Sequence, residues 1–267
     1  MRREERNLDE SRGMKPPSEQ LGRVSGWLSA PFWAAGSAIR HARVLHPVGQ
    51  LVEATVEVVD DAPEDLAALA AALEGRALVR FSGALWKKAG THLPDVLGCA
   101  VRIRDGARDD QDLLFATIKR PWTLGFAPLT TDVDDYLANQ YFAISPFDLA
   151  GVAKRFYLRL RPRRSGGGGE TRAERLSHAV NDEDHPVVLA IEASYGPRGP
   201  WREVARLGLE RVLDGDDPEL RFNPFEDGRG IRPRGIIHAL RRGAYHASQS
   251  ARVRLKGVRP YSKAHAI

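Results

Sequence analysis

Residues 48–59 (VGQLVEATVEVV) alternate with a period of two, putting Val52, Ala54, Val56 and Val58 on one face and Glu53, Thr55 and Glu57 on the other. That is the pattern of a strand buried on one side and wet on the other. A half-buried strand needs partners of its own kind, because an isolated strand or hairpin is barely stable in water. Short strand-like runs supply them at 77–82 (ALVRFS), 99–104 (CAVRIR), 112–117 (DLLFAT), 155–161 (RFYLRLR), 187–195 (VVLAIEASY) and 203–213 (EVARLGLERVL). Helical patterns interrupt these runs without alternating with them. Residues 63–74 (PEDLAALAAALE) follow Asp60 and Asp61, end at Gly75, and read as a capped helix. Residues 130–142 place Val133, Leu137 and Tyr141 on one helical face, and 236–253 is long and helical in composition. Strands dominate, helices flank them, and no βαβ rhythm or internal repeat appears. The expected fold is therefore α+β, an antiparallel β-barrel with flanking helices instead of a doubly wound sheet.

Composition narrows the class. With 267 residues and 42% apolar side chains the chain can bury a real core. Residues 1–25 mix both charges and read as a solvated tail, which leaves 26–267 as one domain. The apolar patch 27–39 is interrupted by Pro31 and Gly36 and is shorter than the ~20 residues a bilayer span needs, so it reads as a surface-packed arm. No transmembrane segment and no export signal is expected, and the lone Cys99 suits a reducing, cytoplasmic setting. One cysteine excludes a disulfide framework, a Cys-rich zinc module and an iron–sulfur cluster. Cys99 itself, in GCAVRIR, reads as a buried apolar residue.

The net charge is +5, and only seven of the 40 cationic residues are lysines, leaving 33 arginines. A basic surplus first suggests nucleic acid or another anionic ligand, but the arginines are scattered beside acids, as in ARDDQD and WREVARLGLERV. No nucleic-acid partner is expected. Gly166–Gly169 reads as a flexible loop, and neither it nor Gly228-Arg229-Gly230 has a phosphate loop's setting. Asp132, Asp134 and Asp135 read as the acidic first turn of a helix, not as a metal site. His185, His238 and His246 make no ligand spacing with a cysteine.

Three stretches carry chemistry. At 100° per residue from Arg241, Tyr245 lies at about 40°, Ser248 at about −20° and Arg252 at about 20°, so all four share one stripe. Each arginine favours a phenolate over a phenol, and a phenolate is one of the few axial ligands haem iron accepts. On spacing alone, a surface helix with an ordinary tyrosine explains the stripe better. Near the start, Arg43-Val44-Leu45-His46-Pro47-Val48-Gly49 puts a histidine just ahead of the alternating strand, where it can carry a proton. Within Val79-Arg80-Phe81-Ser82, an arginine stands in a strand among apolar neighbours, either paired or gripping an anion.

Taken in order, R-V-L-H-P-V-G, V-R-F-S and R-x-x-x-Y-x-x-S-x-x-x-R resemble the haem core of the catalase superfamily over roughly 40–255, with 203–235 similar to the stretch before its proximal helix. The resemblance implies a catalase-type barrel with a C-terminal proximal haem helix and haem b (iron) as cofactor. It implies His46 as the distal acid/base, Ser82 as the group orienting its ring, and Tyr245 as the axial iron ligand. Arg241 would keep that ligand ionised, while Arg43, Arg80 and Arg252, with Ser248, would line the cofactor. Where the family has a distal asparagine this chain has only Thr117 nearby, which argues against efficient disproportionation of hydrogen peroxide. The chain also lacks the family's threading arm and C-terminal extension, which argues against an interlocked tetramer, and a homodimer is the assembly expected. The activity implied is a haem peroxidase using hydrogen peroxide or organic hydroperoxides with an organic electron donor. Alternatives are a hydroperoxide-rearranging enzyme of the allene oxide synthase type or a non-catalytic haem binder.

Overall fold

The computed structural model describes residues 48–84, 93–104, 110–120, 123, 126–143, 145–214, 220, 222–223 and 227–234. All of them belong to one compact unit, Arg40–Arg234. The boundary expected between 1–25 and 26–267 and the proximal helix expected at 236–253 lie outside the described residues.

Eight strands close into an antiparallel barrel. In chain order they are β1 (Val48–Val58), β2 (Gly75–Gly83), β3 (Leu97–Arg104), β4 (Gln111–Ala116), β5 (Tyr141–Phe142), β7 (Tyr157–Pro162), β8 (Val187–Ser194) and β9 (Arg202–Leu213), with β9 pairing back onto β1. Outside the barrel, β6 (Phe147–Asp148) pairs with β10 (Arg232–Pro233). Cross-strand rows show what fills the barrel: Gln50, Phe81, Cys99 and Phe115 stand level, followed by Val52, Val79, Val101 and Leu113. The opposite wall adds Leu158, Leu160, Leu189, Ile191, Ala205 and Leu207, all buried. An eight-stranded barrel has an interior just wide enough for side chains to fill or for one small ligand, and here buried side chains fill it. Cys99 is part of this filling, and burial pushes its thiol far above its usual pKa, which agrees with the apolar reading.

The strand readings survive with shifts of one or two residues. Val58, expected inside, is exposed. β1 outruns β2, whose last pair is Val56 with Gly75, so Val58 has a neighbour only in β9. The helix expected at 63–74 is a 3-10 turn, Glu64–Leu66, followed by α1 (Ala67–Leu73), which lies on β1 and β9. Its start receives no side-chain cap, so Asp60 and Asp61 mark the turn before it and do not cap it.

The helix expected over 130–142 does not form. In its place stand α2 (Ala127–Thr130), a 3-10 turn at Tyr136–Ala138, and β5. Side chains that compete for backbone groups break it. Asp132 accepts from the N–H groups of Asp134 and Asp135, Asp135 accepts from Leu137, and Asn139 bonds Asp132 in both directions. Those aspartates therefore build turns; they are not a helix's acidic first turn.

One helix goes unexpected: α3 (Arg172–Val180), opened by a capping box in which Thr171 and Glu174 satisfy each other's backbone N–H. The preceding glycine run is a packed loop. A Cβ on Gly167 would come within 2.9 Å of His178 Cβ, and one on Gly169 within 2.8 Å of Glu174 Cβ, so only glycine lets the loop lie this close to α3.

Candidate functional site

The outer face of β1–β4 is the mirror of the packed interior, and its rows run from polar to apolar and back. Glu53, Leu78, Arg102 and Asp112 stand level in one row. The next row reads Leu51, Arg80, Ala100 and Leu114, and the one after it Gly49, Ser82, Gly98 and Ala116. These last two rows form a platform of small and aliphatic side chains carrying one guanidinium and one hydroxyl. Leu51, Arg80, Ser82 and Ala116 are buried, while Ala100 and Leu114 are half-buried.

The Arg80 guanidinium sits against Gly49 on this platform. A Cβ on Gly49 would sit 2.5 Å from Arg80 Cζ and 2.6 Å from its Nη2, so the bare glycine backbone is what seats the guanidinium. Ser82 follows Arg80 on the same face, about 7 Å along the strand. Strand pairing puts Arg80 and Ser82 on one face.

Thr117 does not join them. On β4, Leu113 and Phe115 point inward, and Thr117 continues that parity just past the strand end. Its hydroxyl accepts from the Leu97 N–H at 3.1 Å and meets Thr131 Oγ at 2.8 Å. Thr131 donates its own proton to the Ala127 carbonyl, so Thr117 is the donor to Thr131 and its proton is committed. The threonine ties β3 and β4 to α2. Arg43, His46, Arg241, Tyr245, Ser248 and Arg252 lie outside the described residues.

Sequence reasoning missed two buried polar clusters beside the platform. Arg172, Asp95 and Tyr136 cover the barrel end next to Gly83, where a Cβ would meet Arg172 Nη2 at 2.6 Å and Asp95 Oδ2 at 2.8 Å. The Arg172 guanidinium stands over the Tyr136 ring, and that ring packs on Phe81. Burial raises the Tyr136 pKa, opposed by the positive charge of Arg172 and Arg80, so this phenol stays protonated. The other cluster, at the far end of the outer face, is a buried ion pair. Arg102 Nε donates to Asp112 Oδ1 at 2.7 Å and Nη2 to Oδ2 at 2.6 Å, while the guanidinium also stacks on Phe222. Burial pushes the Asp112 pKa up and the bidentate arginine pulls against it. The one cue the sequence carried was the capping box that sets Arg172 at the start of α3.

Among the described residues no group of three or more His, Cys, Asp or Glu side chains is placed to hold a metal ion, and no helix is long and apolar enough to cross a membrane. No protein-family model and no curated protein matches the chain. Among solved structures, a bacterial catalase is similar at a TM-score of 0.59 and 13% identity, over 81% of this chain. The fold is catalase-like. The chain spans 58% of the length of that catalase.

Proposed function

We propose that this chain is a haem-dependent peroxidase, with the outer platform of β1–β4 as one wall of its cofactor site. The observation carrying the reading is the seat of Arg80 on Gly49, among small and aliphatic side chains on a catalase-like barrel. The donor set fits a haem: an amphipathic disc with acidic edges suits small side chains beneath it and a permanent cation at one margin. Arg80, with Arg43 and Arg252, would pair with the propionates, and Ser248 would line the same pocket. Tyr245 would bind the iron, and Arg241 would hold the Tyr245 oxygen ionised.

Bound haem supplies the iron at which a peroxide O–O bond is cleaved. The chain's own residues handle the proton. His46 takes it from the hydroperoxide and returns it to the departing oxygen, which requires an imidazole that titrates near neutrality. Ser82 orients that ring. An organic donor would provide the two electrons and two protons that complete the reduction of a hydroperoxide to alcohol and water. The commitment of Thr117 to Leu97 and Thr131 supports an organic hydroperoxide over hydrogen peroxide as substrate, since its proton is not offered to a small polar ligand.

The purified protein, expressed with haem supply, should show a Soret band and a high-spin ferric spectrum that Tyr245→Phe abolishes or shifts. His46→Ala should keep the haem and slow peroxide consumption by orders of magnitude. A colourless protein that does not take up added haem sinks the reading.

A further inference from the structure

We propose that the cavity between α1, β6 and β10 binds a small organic carboxylate with an apolar body. The cavity encloses about 570 Å³, an ordinary size for a small-molecule site. One wall is a stripe of α1, where Ala68, Ala71 and Ala72 stand at helical spacing and offer methyl groups. Leu149 and Ala150, in the turn after β6, extend that wall. The rest of the lining is cationic: Arg229, Arg232 and Arg234 face the cavity together with the carboxylate of Asp148.

The frame is held by bonds of its own. Gln111, fully buried at the start of β4, donates to the Ile231 carbonyl and accepts from the Ile231 N–H, both at 3.2 Å. Arg229 Nη1 donates to the Ala72 carbonyl at 3.3 Å and also to the Glu74 carbonyl, fastening the turn before β10 to the end of α1. Gly151 lies so near α1 that a Cβ there would stand 3.0 Å from Ala68 Cβ. A cavity shaped in advance loses little to ordering when a ligand enters.

The arginines decide what that ligand is. Arg232 and Arg234 are two residues apart on β10, so both stand on one side of the strand. Among the described residues each gives only its Nε to a carboxylate, Arg232 to Asp227 and Arg234 to Asp148, both at 2.9 Å. Elsewhere the chain engages its guanidinium groups more fully: Arg211 meets Glu53, and Arg161 meets Glu192, through both Nε and Nη2. Arg155 also bonds Asp148, so three arginines share two aspartates and one positive charge is left over. The Nη groups of Arg232 and Arg234 therefore remain for a planar anion, with the alanine wall beside them for its hydrocarbon part. A phosphate suits the cavity less well. The N–H groups of Gly230, Arg234 and Val152 already donate to carbonyls, so these turns do not supply the N–H nest that phosphate sites use.

Fluorine NMR of the full-length protein with 4-fluorobenzoate should show saturable line broadening that benzoate or hexanoate reverses. Acetate, which lacks the apolar body, and inorganic phosphate should compete at least about tenfold less well. The double variant Arg232→Ala, Arg234→Ala should weaken binding about tenfold or more. Ala71→Glu, at an exposed helix position, should abolish it by placing a carboxylate in the cavity. Arg211→Ala on β9 and Arg80→Ala on the platform should leave the affinity unchanged. Thermal melts of the cavity variants should match wild type within a few degrees; if the double variant melts early, Ala71→Glu alone decides. Absence of binding, equal competition by acetate or phosphate, or binding that Ala71→Glu leaves intact overturns the proposal. So does a loss in Arg80→Ala with none in Ala71→Glu, because the carboxylate then sits on the platform. The assay reads binding and needs no haem, so its failure is separate from failure of the peroxidase reading.

Discussion

Two stretches of the barrel's outer surface are made by the same alternation and end up as opposites. Around β1–β4 two adjacent outward rows (Gly49, Leu51, Arg80, Ser82, Gly98, Ala100, Leu114 and Ala116) are small or aliphatic apart from one cation and one hydroxyl, and the Arg102–Asp112 pair lies in the row beside them. Around β7–β9 they are charged and pair across strands. Glu192 accepts from both Arg159 and Arg161, and Arg163 reaches Glu203, which also holds Arg206. Trp201 stacks on Arg159 and extends that network. A strand's solvent side normally looks like the second surface. The first carries the marks of a surface that something covers, and it holds the motif residues Arg80 and Ser82.

The sharpest test of that contrast is the buried pair at the far end of the first face. Arg102→Ala strands Asp112 without its partner and should cost about 3–5 kcal/mol in denaturant unfolding, with much of it recovered in the double variant Arg102→Met, Asp112→Leu. Next comes Gly49→Val. The new side chain must displace the Arg80 guanidinium, costing about 1–3 kcal/mol, and on the proposed function it should weaken haem retention as well. On the second face, Glu192→Gln leaves two arginines half-satisfied, yet water reaches both, so about 1 kcal/mol is expected. Arg211→Ala at the exposed pair with Glu53 should cost no more than about 0.5 kcal/mol. If the two faces gave equal losses, the contrast between a covered and a solvated surface would be wrong.

Acid offers a further comparison on the exposed side. Two Arg202 bonds of 2.8 Å and the Tyr195 hydroxyl hold the Asp65 carboxyl at about 2. Because the folded pKa is depressed, the stabilisation is complete above the ordinary aspartate range near 4 and is lost as pH falls from there toward 2. Carboxyl titration by NMR should show that midpoint, and Arg202→Ala should move it up toward the ordinary aspartate range, with the Tyr195 hydroxyl still holding it below.

Much of the barrel was legible because its signal is local. Val52, Ala54 and Val56 alternate whether or not a partner is present, and the longer strands after β1 were legible as short apolar runs, whereas the two-residue β5 was hidden in the helical spacing of 130–142. Val58 kept the pattern and still came out exposed, because pairing length is decided by the neighbouring strand. The helix over 130–142 failed for a related reason: Val133, Leu137 and Tyr141 have the right spacing, but Asp132, Asp135 and Asn139 offer backbone groups better partners within a turn. Arg80 and Ser82 could be placed on one face from their spacing of two. Nothing in their spacing says that Gly49, far earlier in the chain, would lie against the guanidinium, or that Thr117 would turn away to Leu97 and Thr131.

What this sequence determined alone was which residues can face apart: period two separates Phe81 from Arg80 and Ser82, Cys99 from Ala100, and Phe115 from Leu114. Tertiary structure decided which side was inside and what each polar group met. Barrel closure sends the larger apolar set into a lumen just wide enough to hold it, leaving the other set as a wall. The register of β1 on β2 then puts a glycine beside an arginine, a relation between distant positions that only strand pairing can create.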